Sequence, residues 1–221
     1  MKKLLFSTFL SLVTVICSAQ YRYCDTYEDF LANRWQELDT LYIDSHSKNQ
    51  QFWWGGNEFT LTTGDKAFDN KLKKDIFIVS QGETLYLNCR NLRYHHGHFG
   101  SGYTRAVRIG ERSLLIVNKW IGDDAFSNPS LSLMFGAVGA MAAASQQIKN
   151  KVCYVVSSGA DSKGRVNIRM IDDNMMEQMI ASANHYELTS DFYSVKETEM
   201  RLLANHVIPI LEKAGLLKET Y

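Results

Sequence analysis

Tyr103-Thr104-Arg105-Ala106-Val107-Arg108-Ile109-Gly110-Glu111-Arg112-Ser113-Leu114-Leu115-Ile116-Val117-Asn118-Lys119-Trp120 carries the reading of the fold. Two strand-like runs, Tyr103 to Ile109 and Ser113 to Trp120, flank Gly110-Glu111. A Gly-X pair suits a type II′ hairpin turn, because glycine takes a positive φ without steric cost. Working outward, Ile76 to Val79 and Leu85 to Cys89 form a second predicted hairpin around Ser80-Gln81-Gly82-Glu83. Glu58 to Thr62 alternates, so Phe59 and Leu61 face a core while Glu58, Thr60 and Thr62 face outward. Downstream, Val152 to Ser157 and Val166 to Met170 read as two further strands of the same sheet, joined by the polar loop Ser158 to Arg165. The result is an antiparallel meander of about seven strands.

Helical signals surround this sheet. Glu28 to Glu37 has helical character, with the period shifting to two at Leu41-Tyr42-Ile43, and Asp65 to Lys74 is a polar helical connection. Asn128-Pro129 offers a cap and a first-turn proline to the small, apolar stretch Leu131 to Ser145. Asn174 to Ala183 is a short helix. The last helix opens on a capping box at Ser194-Val195-Lys196-Glu197, carries the stripe Met200, Leu203, Val207, Ile210 and Ala214, and closes at Gly215. Pro209 is expected to kink it. With no repeat, linker or low-complexity tract, the expected architecture is one α+β domain over 20–221, its sheet covered by the Gly/Ala-rich helix and the C-terminal helix.

The chain has 221 residues with 24 Lys+Arg against 24 Asp+Glu. That balance removes the electrostatic case for a nucleic-acid partner. At the N-terminus, Lys2 and Lys3 precede the apolar run Leu4 to Ile16 and the small-residue site Cys17-Ser18-Ala19. This is the order of a secretory signal peptide, cleaved after Ala19. Bulky Ile16 before Cys17 disfavours lipidation, so the expected location is periplasmic or extracellular, with no membrane span in the mature chain. Loss of Lys2 and Lys3 leaves 22 basic against 24 acidic residues. Three cysteines remain, Cys24, Cys89 and Cys153, an odd number that permits at most one disulfide.

Three segments are candidates for function. Trp53-Trp54-Gly55-Gly56-Asn57 sits in an aromatic-rich region and could stack on a glycan or peptide; read as a strand, it would put one indole in the core and the other outside. Tyr94-His95-His96-Gly97-His98 holds three of the six histidines within four residues. In an exported protein His95, His96 and His98 could hold Zn or Cu, although no carboxylate or H-E-x-x-H pattern completes a catalytic shell. Gly136, Ala140 and Ala144 recur every fourth residue, a smooth face that suits burial or self-association. Met170, Met175, Met176 and Met179 fit core packing better than copper binding, and Asp172 and Asp173 fit a helix cap. Nucleophile and nucleotide-binding templates are absent; Ser45-His46-Ser47-Lys48 matches S-x-x-K but lies in a predicted polar loop without a downstream K-T-G.

Trp54-Gly55-Gly56-Asn57, Thr63-Gly64-Asp65-Lys66, Thr84 to Leu92, Met134 to Gly139 and Lys151-Val152-Cys153-Tyr154 together resemble a family of exported bacterial proteins of unknown function. The resemblance spans most of the mature chain and implies a shared fold and compartment, without an activity or a cofactor. The expected function is therefore a non-enzymatic envelope binding or structural module, with an envelope metal protein or hydrolase as the alternative.

Overall fold

The computed structural model of the protein describes residues 21–121 and 151–218. The expected signal segment, the helix expected over 131–145 and its Gly136, Ala140 and Ala144 face lie outside the described residues.

The chain opens with β1 (Tyr21–Cys24), α1 (Tyr27–Leu31), β2 (Gln36–Leu38) and β3 (Tyr42–Ser45), then α2 (Lys48–Trp53), β4 (Phe59–Thr62) and α3 (Lys66–Lys74). Six strands follow before residue 121: β5 (Ile78–Gln81), β6 (Thr84–Asn88), β7 (Leu92–Tyr94), β8 (Gly97–His98), β9 (Tyr103–Ile109) and β10 (Ser113–Lys119). From residue 151 come β11 (Lys151–Val156), β12 (Val166–Asn167), β13 (Arg169–Met170), α4 (Asp173–Ser182), α5 (Leu188–Phe192), α6 (Thr198–Arg201) and α7 (Ala204–Lys213).

Ten of these strands form one antiparallel sheet with the central order β13-β11-β10-β9-β6-β5-β1-β2, and the β3–β4 pair joins it through β9. The other three make a small sheet, β12-β7-β8. The α+β class and the antiparallel meander stand, with more strands than the expected seven. Four local readings change. In the β9–β10 hairpin Ile109 pairs with Ser113, so Gly110 at φ +62° begins a three-residue turn rather than a two-residue one. The first helix stops at Leu31, and Gln36 to Leu38 pairs with β1 instead of continuing it. Ser47 starts a helix through a reciprocal capping box with Gln50, so the Ser45 to Lys48 stretch is no plain loop.

The expected single C-terminal helix is the fourth. It divides at Leu203, whose backbone is extended (φ −65°, ψ 143°) and bridges to Val152 on the sheet. Ser194 bonds back to the Asp191 carbonyl at 2.6 Å, so the expected capping box is not made. Met200 leaves the stripe and is exposed, while Val207, Ile210 and Ala214 keep their buried places.

The central strands are buried on both faces, which explains the unbroken apolar run Leu114 to Val117. Leu114 and Ile116 pack with Phe99, Tyr154 and Ile168 under the small sheet, and Leu115 and Val117 pack with Val155, Ile180, Phe192 and Val207 under the helices. Each such side chain contributes about 1.5–3 kcal/mol by burial. A third cluster, around Leu61, Leu72 and Tyr103, lies beneath α3. Among the described residues no helix is long and apolar enough to cross a membrane.

Candidate functional site

The sequence-predicted residues separate into a structural fastener and a histidine turn, of which His95 alone lines the neighbouring surface groove. In the fastener, Trp53 closes α2 and Trp54 is its C-cap, so the pair does not alternate along a strand. The Trp53 side chain lies outside the described residues. The Trp54 indole is about half exposed and meets the His46 ring edge-on, centroids 4.8 Å apart. Asn57 is buried, and its Nδ2 donates to the carbonyls of Trp54 and, at 3.3 Å, Phe99. His46 Nδ1 lies 3.1 Å from the Asn57 carbonyl, which can only accept, so in the neutral ring Nε2 accepts from the Thr60 hydroxyl at 2.8 Å. The Asn57 amide nitrogen is thus committed to two backbone carbonyls, one in its own loop and one at Phe99. Gly55 and Gly56 take φ +84° and +92°, and a Cβ on Gly55 would stand 2.6 Å from the Gly100 nitrogen. Next to this loop, Glu58 accepts from Lys151 Nζ at 2.7 Å and from Thr104 Oγ1 at 3.0 Å, tying it to the sheet.

The histidines occupy the small sheet. Tyr94 pairs with Gly97, so His95 and His96 are the two central residues of a tight turn, with His95 at φ +50°. His98 pairs with Arg93, which in turn pairs with Asn167 on β12, so the three form one cross-strand row. His95, His96 and His98 are all exposed. Among the described residues no group of three or more His, Cys, Asp and Glu side chains gathers as a metal would require.

The groove opens beside this turn, with a volume of about 470 Å³. One wall is Arg93, Tyr94 and His95; the floor is the segment from Asn167 to Met170; the far wall is α4, through Asn174, Met175 and Gln178. Three local features build it. The chain changes sheets at Ile168: Asn167 belongs to β12, Arg169 to β13, and the buried Ile168 sends its N–H to the Arg93 carbonyl at 2.9 Å. Asp172 then caps α4 by accepting from Met175 N at 2.7 Å, as expected from the sequence. Arg93 is held by Nη1, which donates to the carbonyls of Arg90 (2.8 Å) and Leu92 (2.7 Å).

Chemically, the groove combines two guanidiniums, three primary amides, an imidazole, an aromatic ring and two thioethers, and its single carboxylate, Asp172, is spent on the helix end. The thiols are elsewhere and buried. Burial pushes Cys24 and Cys153 up to about 12 and Cys89 higher still, far from the thiolate a nucleophile needs. All three are free.

The fold and groove define an α+β protein with a small surface groove lined by hydrogen-bond donors and acceptors. Within that class the chain belongs to a family of unknown function, DUF6563, whose model matches residues 22–218. No curated protein and no solved structure matches it.

Proposed function

We propose that this is an exported envelope protein, one domain over 20–221 after cleavage at Ala19, that binds a small polar ligand without transforming it. The observation that carries the reading is the groove: three elements converge on about 470 Å³, within the range of small-molecule sites, and its one carboxylate already caps a helix. Export is supported by the Lys2-Lys3, apolar-run and small-residue order at the N-terminus.

Two measurements test it. Full-length protein produced in a bacterial host is expected in the exported fraction with an intact mass that begins at Gln20; a cytosolic product retaining Met1 would end the export reading. For binding, a panel of envelope sugars and short peptides is screened by ligand-observed NMR against the mature protein. At least one is expected to bind, to be recovered chemically unchanged, and to lose binding in Gln178→Trp, which fills the groove from an exposed helical position while leaving the fold intact by circular dichroism. Binding that persists in Gln178→Trp would remove the groove from the account. Uptake of Zn or Cu near one per chain, abolished by changing His96 and His98, would replace it with the metal reading.

A further inference from the structure

The groove's charge narrows its ligand, on the reading just given that it is a binding site. Elsewhere among the described residues, some cations have carboxylate partners: Arg34 with Asp29 at 2.8 Å, Lys71 with Asp25 at 3.0 Å, Lys213 with Asp191 at 3.1 Å. The two arginines of the groove do not. The Arg169 guanidinium makes no hydrogen bond or ion pair among the described residues, and Arg93 uses only Nη1, on two neutral carbonyls. Asp172 Oδ1 accepts from the Met175 N–H, and the carboxylate forms no ion pair with either arginine among the described residues. A guanidinium offers a planar fork that matches a carboxylate better than any neutral acceptor.

The remaining lining is neutral and hydrogen-bonding. Asn167, Asn174 and Gln178 each bring a donor pair and an acceptor, the complement of vicinal hydroxyls, and Tyr94 adds an aromatic surface. The volume suits one or two sugar units rather than a macromolecular face. We infer that the groove takes an acidic sugar, with its carboxylate on Arg169 and Arg93 and its hydroxyls on Asn167, Asn174 and Gln178.

The test compares three probes on the mature protein by NMR titration: glucuronate, glucose, and an acetylated, amidated glutamate dipeptide. Glucuronate is expected to bind at least about tenfold more tightly than glucose, and to weaken as salt is raised. Arg169→Gln, an exposed change that should leave the thermal midpoint in place, is expected to lower glucuronate affinity about tenfold without changing that for glucose. Equal affinity for the two sugars, or an unchanged glucuronate affinity in Arg169→Gln, overturns the inference while leaving the groove as a site for neutral ligands. Preference for the dipeptide also overturns it, in favour of an acidic peptide. If none of the three binds, the acidic-sugar assignment fails, and the separate Gln178→Trp panel then decides the fate of the groove itself.

Discussion

Gly100→Ala is expected to cost about 3–5 kcal/mol, a large share of the roughly 5–15 kcal/mol that keeps a domain of ordinary stability folded. Gly100 has φ +77°, and an added Cβ would drive into the Trp54 carbonyl and come within 2.6 Å of Asn57 Nδ2. Neither neighbour can yield cheaply. The carbonyl belongs to the backbone that caps α2, and the amide is the bolt between that loop and Phe99. Gly110 provides the comparison: it has φ +62° but nothing within 4 Å of where a Cβ would stand, so Gly110→Ala bears only the backbone penalty of roughly 1–2 kcal/mol. Chemical denaturation of both variants separates steric from conformational cost. A Gly100→Ala loss no larger than that of Gly110→Ala would show that the fastener contributes little.

Arg201→Met is expected to lose about 3 kcal/mol, the next largest single effect. Arg201 is 5% exposed. Its Nε and Nη2 grip Asp173 at 3.0 and 2.5 Å, and Nη1 donates to the carbonyls of Val195 and Lys196 at 3.0 and 2.9 Å. The guanidinium also lies 4.8 Å from the Tyr193 ring centroid. Methionine fills the space but orphans two carbonyls and a carboxylate. Asp173→Asn should cost less, about 1 kcal/mol, because that side chain is 33% exposed and water can replace part of what it gives up. A double-mutant cycle by thermal or denaturant unfolding measures their coupling. Additive losses would mean that the arginine works through contacts other than Asp173, its carbonyl and ring partners among them.

Much of the sheet is legible in the sequence because its strands carry period-two or continuous apolar patterns and glycine turns. What escapes depends on partners distant along the chain. Val166 to Met170 reads as one alternating strand, and nothing in its five residues reveals that Asn167 pairs with Arg93 while Arg169 pairs with Val155. The helical stripe through Leu203 is sound as a pattern, yet the bridge to Val152 pulls that residue into extended backbone. The tryptophan loop reads as a contact surface on composition, but burial of Asn57 depends on Phe99 and the close-packed glycines, remote in sequence. The groove escapes for the same reason. Its histidine turn, methionines and aspartate cap each stand out separately, and the arginines and amides between them have no spacing that marks a site. No reading of 93–95 alone could place it against 167–178.

The crossing at Ile168 bears on cooperativity. A single residue separates the last rung of the small sheet from the first rung of the large one, and its side chain is sunk in the shared core. The small sheet therefore has almost no slack with which to peel away: fraying β12 pulls on β13, and release of β13 exposes the edge of β11. Amide protons of Ile168 and of the neighbouring rungs should share one opening event, so a ligand seated over the crossing would slow exchange in both sheets at once.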